Sequence, residues 1–96
     1  MSLSQRHCRT LCAIFEQPTR ADLRWAGFLA LCRALGAQLP KSGKTAGSRQ
    51  RIALRGRKAV FHKPHPEPTM KTGSVESARD FLTNAGVTPE REGYLC

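Results

Sequence analysis

The segment Arg49-Gln50-Arg51-Ile52-Ala53-Leu54-Arg55-Gly56-Arg57-Lys58-Ala59-Val60-Phe61-His62 reads as two strands around a turn. Gln50, Ile52 and Leu54 alternate with Arg49, Arg51 and Ala53. Side chains alternate across a strand, so this spacing predicts a half-buried strand with a cationic face. Arg55-Gly56-Arg57 supplies the turn, and Lys58 to His62 returns as the partner strand of a hairpin.

Helical patterns flank the hairpin. Before it, Trp25, Phe28, Leu29, Cys32 and Leu35 recur at three- and four-residue steps, and Gly36 supplies a left-handed stop. Gln38 to Lys41 reads as a brief edge strand, because Pro40 has no amide to give a central ladder. Ser42 to Gly47 is a Gly, Ser and Lys loop. After the hairpin, Pro64, Pro66 and Pro68 interrupt regular structure. Thr72 is then expected to cap a last helix with the stripe Val75, Ala78, Phe81, Leu82 and Ala85, closed by Gly86. An additional helix at residues 5–16 carries Cys8, Leu11, Cys12 and Phe15 and stops at Pro18. Its stripe is narrow, so the central fold is expected to stand without residues 1–18. The predicted class is α+β, with helices layered on one sheet face.

At 96 residues the chain suffices for one small domain. We divide it into an N-terminal helical extension (1–20), a central domain (21–89) and a C-terminal tail (90–96). The longest apolar or small run is the seven residues Ala26 to Cys32, against the roughly 20 needed to span a bilayer. The five residues Leu11 to Phe15, followed by Glu16, do not make the apolar core of an export signal. The expectation is a cytoplasmic protein, neither membrane-bound nor secreted.

Cys8, Cys12, Cys32 and Cys96 are accordingly expected to be reduced thiols, the first three packing as small apolar helix residues. No metal or other cofactor is called for. Cys8 and Cys12 have no second ligand pair at zinc-site spacing, and Gly43-Lys44-Thr45 lacks the leading glycine of a phosphate-binding loop.

The charge points to a polyanion. Lys and Arg number 16 against 7 Asp and Glu, a net charge of +9. Lys41, Lys44, Arg49, Arg51, Arg55, Arg57, Lys58, Lys63 and Lys71 stand against the single acid Glu67 in that stretch. Such a footprint suits phosphates.

Gly47-Ser48-Arg49-Gln50-Arg51-Ile52 resembles the first long strand of the HicA family of bacterial toxins. The likeness continues through Phe61-His62-Lys63-Pro64-His65 and Lys71-Thr72-Gly73-Ser74-Val75 to Asn84-Ala85-Gly86-Val87, covering about residues 25–87. The resemblance implies an α-β-β-β-α layer like a double-stranded-RNA-binding domain. It also implies an mRNA-cleaving endoribonuclease restrained by a HicB-like antitoxin. The helix before Pro18 lies outside the family pattern.

The family carries Gly-Ser-His with a catalytic histidine, whereas this chain has Gly47-Ser48-Arg49. An arginine keeps its proton and cannot act as the base toward a 2′-hydroxyl. It can bind phosphate through its fork and stabilise transition-state charge. Catalysis has therefore either moved to His65 or His62, or been lost. An imidazole can act as base or acid near neutral pH. Ser48, Arg49, Arg51, Arg55 and Lys63 are the candidate RNA contacts, while Trp25 and Phe28 are assigned to the core. Three functions follow: a HicA-like ribonuclease, a non-catalytic RNA-binding module, or a protein-interaction domain with a basic docking surface.

Overall fold

A computed structural model describes residues 3–40 and 49–96. The elements run α1 (Gln5–Ile14), β1 (Leu23–Arg24), α2 (Trp25–Ala34), β2 (Arg49–Leu54), β3 (Arg57–His62), β4 (Thr69–Met70) and α3 (Thr72–Asn84). The α+β class holds: three helices accompany two small antiparallel sheets, one pairing β2 with β3 and the other β1 with β4.

The hairpin forms where its alternation places it. Leu54 faces Arg57 and Arg49 faces His62 at its two ends. The connection is shorter than the expected three residues, so Arg57 opens the return strand. Arg55 and Gly56 alone turn the chain, both with positive φ (49° and 81°). Two left-handed residues match the twist of the flanking strands. Of the expected edge strand, the described residues keep one bridge, in which Gln38 and Ala53 exchange amide-to-carbonyl bonds of 2.8 and 2.9 Å. The loop at 42–47 lies outside the described residues.

β1 and β4 carry no alternation long enough to be read from sequence. Leu23 pairs with Met70 and Arg24 with Thr69, and the Trp25 amide donates to the Pro68 carbonyl at 3.0 Å. This short ladder holds the start of α2 against the segment that leads into α3.

α2 and α3 end in the same way. Gly36 and Gly86 take φ of 92° and 80°, and the following amides, of Ala37 and Val87, donate back to the carbonyls of Cys32 and Leu82. Only a residue without Cβ adopts that conformation freely, which is why the glycines stop both helices. At its other end α3 departs from expectation. Lys71 occupies the cap position and Thr72 is the first helical residue, so no side chain caps the helix.

One core joins all three helices to the hairpin. α3 packs on β3, and α1 packs across α2 and α3. Trp25, Phe28, Phe61 and Phe81 form an aromatic chain, with the Phe28 and Phe61 rings meeting edge-on at 5.0 Å between centroids. Edge-to-face contact favours such pairs beyond the area they bury. Trp25 and Phe28 are thus core residues, as assigned, and the whole predicted stripe of α3 is buried.

Leu11 and Ile14 of α1 are fully buried in that core. Arg79 of α3 reinforces the contact, donating from Nε to the Ile14 carbonyl at 2.9 Å and from Nη2 to the Glu16 carbonyl and Thr19 Oγ1. The independence that a narrow stripe suggests for residues 1–18 is not what this packing describes.

The cysteines need a correction. Cys12 is not an apolar thiol but is bonded to Cys96, with Cα atoms 5.6 Å apart across 84 residues of sequence. The physical reason is the path of the C-terminal segment. Its turn is closed by the Tyr94 amide bonding the Pro89 carbonyl, and the Tyr94 hydroxyl meets both backbone groups of Leu3. Cys96 is thereby brought back over α1. Cys8 is half-buried, and Cys32 is fully buried, as expected. Burial pushes the Cys32 thiol up to about 12. Among the described residues no helix is long and apolar enough to cross a membrane.

Candidate nucleic-acid interface

Strand alternation sorts the hairpin residues into two faces. Ile52, Leu54 and Phe61 point into the core. Arg49, Arg51 and Ala53 of β2 share the outer face with His62, Val60 and Lys58 of β3, in that order of pairing. All of these except the half-buried Ala53 are exposed. Val60 is an apolar side chain at 55% exposure in the middle of this cationic face.

At the open end of the hairpin the face meets a groove of about 660 Å³. His62, Lys63, His65, Lys71, Thr72 and Ser74 line it. His62 comes from the last position of β3, and His65 from the proline segment that crosses from β3 toward β4. Thr72 and Ser74 belong to the first turn of α3, whose amides have no side-chain cap. Free first-turn amides and the positive end of the helix dipole favour an anion. The groove therefore brings together two imidazoles, two ammonium groups, the single carboxylate of Glu67 and a helix N-terminus.

Of the sequence-predicted residues, His62, His65 and Lys63 share this groove, and Arg49 and Arg51 lie on the adjoining face. Arg55 does not join them. It sits in the turn, six positions from Arg49, or about 20 Å at strand rise. Ser48 lies outside the described residues, as do Lys41 and Lys44 of the cationic stretch. Lys71 and Ser74 were not singled out as contacts, and neither was Lys58. Lys71 had a signal available, since a cation next to a helix start and just after a histidine-bearing loop is a phosphate-binding placement.

The chemistry open to this arrangement is phosphate binding with proton transfer. Arg49 and Lys71 can hold phosphate oxygens, and two imidazoles in one groove can divide the roles of base and acid. Comparison of the chain with protein-family models, curated proteins and solved structures gives no match.

Proposed function

We propose that this chain is a HicA-like endoribonuclease toxin acting on mRNA and restrained by a HicB-like antitoxin. The observation that carries the reading is the shared groove of His62 and His65, beside a cationic strand face and the uncapped start of α3. The order of α2, hairpin and α3, with Gln38 bridged to β2 where a first strand would run, supports an α-β-β-β-α layer like that of double-stranded-RNA-binding domains.

The reaction needs no metal. One imidazole takes the proton from a ribose 2′-hydroxyl, and the resulting oxygen attacks the adjacent phosphorus. A P–O bond forms to the 2′-oxygen as the bond to the 5′-oxygen breaks. The second imidazole protonates that leaving oxygen, giving a 2′,3′-cyclic phosphate and a 5′-hydroxyl end. Arg49, Lys71 and the α3 amides stabilise charge on the phosphoryl oxygens.

A second reading has its own observation. Arg49 stands where the resembled family carries its histidine, which favours a non-catalytic RNA-binding module. Incubating the purified chain with a long unstructured RNA in the presence of a chelator separates the two. Discrete fragments ending in cyclic phosphate are expected. Intact RNA that is nonetheless bound would establish the binding module instead. Growth arrest on expression, relieved by a co-expressed antitoxin, tests the toxin assignment.

A further inference from the structure

The histidine groove holds one acid. Glu67 lines it with Lys63 and Lys71, yet neither ammonium group is paired with its carboxylate. Among the described residues the ion pairs are those of Arg20 with Glu16 and Asp22. Pro66 and Pro68 flank Glu67 and carry no amide proton, so they offer its oxygens no donor. A carboxylate also repels the phosphate oxygens that the lysines attract. An unpaired acid here weakens binding of a phosphate backbone unless it meets a donor that the ligand brings.

The surrounding chain holds that acid in place. Proline fixes φ at about −65°, and a residue before proline is confined to extended conformations, so Glu67 has little backbone freedom. Beyond it, the Pro68 carbonyl accepts the Trp25 amide at 3.0 Å and Thr69 pairs with Arg24. Glu67 is two positions from His65, at most about 7 Å of chain. A donor that reaches Glu67 thus belongs to the nucleotide held at the histidines or to its immediate neighbour.

Single-stranded RNA brings such donors on the Watson–Crick edges of its splayed bases. A carboxylate only accepts, through two oxygens. Guanine alone among the four bases presents two adjacent donors on that edge, N1–H and the 2-amino group. Uracil presents one donor between two carbonyls. In adenine and cytosine the amino group sits beside a ring nitrogen that is itself an acceptor and repels the second oxygen. We infer that Glu67 forms a guanine subsite of the histidine groove, accepting N1–H and N2–H through its two oxygens. The inference rests on the RNA-acting reading above and names its preferred substrate: a single strand with guanine at or next to the bond held by His62 and His65.

The experiment measures binding by fluorescence anisotropy, with the full chain and unstructured twelve-nucleotide uridylates that carry one central guanosine, adenosine, inosine or 1-methylguanosine. The guanosine strand is expected to bind about tenfold more tightly than the all-uridine or adenosine strand, the scale of a bidentate side-chain-to-base contact. Inosine, which lacks the 2-amino group, should keep part of that gain, and 1-methylguanosine none of it. Glu67→Gln, its folding checked by thermal unfolding, should lose the guanosine preference. It should also bind the all-uridine strand more tightly, because a charge that repels phosphate is gone. Equal affinity for guanosine and all-uridine strands in wild type overturns the subsite, as does a guanosine preference that survives in Glu67→Gln. Weakening of every strand alike in the variant also overturns it, by making Glu67 a structural residue. RNA bound with guanine preference but left intact sinks the ribonuclease and keeps the subsite, whereas no binding of any strand sinks both.

Discussion

Arg49 stands directly opposite His62 in the antiparallel register of the hairpin, both side chains on the exposed face. A fixed cation therefore sits beside a group able to exchange a proton. On the proposed reading His62 exchanges a proton and Arg49 cannot, so their variants should differ in degree of lost cleavage. His65→Ala is expected to lose cleavage by roughly 100-fold or more while keeping its RNA affinity, with His62→Ala showing a comparable or smaller loss. Arg49→Ala should weaken binding and, with one phosphoryl contact gone, slow cleavage by less than His65→Ala does. Single-turnover cleavage and anisotropy measured in parallel check this, and full cleavage by the double histidine variant would make the histidines bystanders.

Position along the hairpin predicts a gradient. Arg51 is two residues from Arg49 on the same face, whereas Arg55 lies in the turn at the far end. Arg51→Ala should weaken RNA binding several-fold and lower the salt slope by about 0.7, the value for one single-strand phosphate. Arg55→Ala should change both far less. Salt-dependent titration of the two variants reads out the difference.

Arg55 supports a stability prediction of its own. A side chain at φ 49° is in a conformation that costs most residues about 1–2 kcal/mol and asparagine less. Arg55→Asn creates the favoured residue pair for this turn and should stabilise the protein by about 0.5–1 kcal/mol. Thermal unfolding should show a rise in Tm of a few degrees.

The first helix should prove necessary for stability. Removing residues 1–18 takes Leu11 and Ile14 from the core, strips two backbone acceptors from Arg79 and deletes Cys12. Each buried aliphatic side chain is worth about 1.5–3 kcal/mol. The truncated chain is expected to unfold at much lower temperature or to lose its cooperative transition by circular dichroism. Arg79→Met should cost about 0.5–1.5 kcal/mol, since its partners are part-buried or exposed and water can replace some of the lost bonds.

Cys32 predicts an alkaline decline. Its folded thiol is raised from the ordinary value of 9.0 to about 12 by burial. The unfolded thiol ionises first, so the stability this group contributes is full below about pH 9 and is lost as pH rises toward 12. Urea midpoints measured from pH 8 to 11 should fall, and the fall should be shallower in Cys32→Ala. A slope that is the same in both proteins would assign the decline to other groups.

Most of the secondary structure was legible because its signals are local. Alternation at Gln50, Ile52 and Leu54, the stripes of α2 and α3, and the glycines at 36 and 86 each act within a few residues of themselves. The candidate groove was only half legible. His62 and His65 could be picked by residue type, and His65 lies just ahead of α3 in the sequence. Yet nothing in their spacing tells that both imidazoles share one groove with Lys71, Thr72 and Ser74.

Composition and periodicity sufficed for an α+β fold with a cationic hairpin, since strand and helix repeats bury apolar faces whatever their partners are. Long-range pairing depends on the path of the whole chain. The two-residue ladder of Leu23 with Met70, the hold of Arg79 on Ile14 and the Cys12–Cys96 bond join residues far apart in sequence. None leaves a repeat in the sequence, and each exists because packing of the helices on one core brings those positions together.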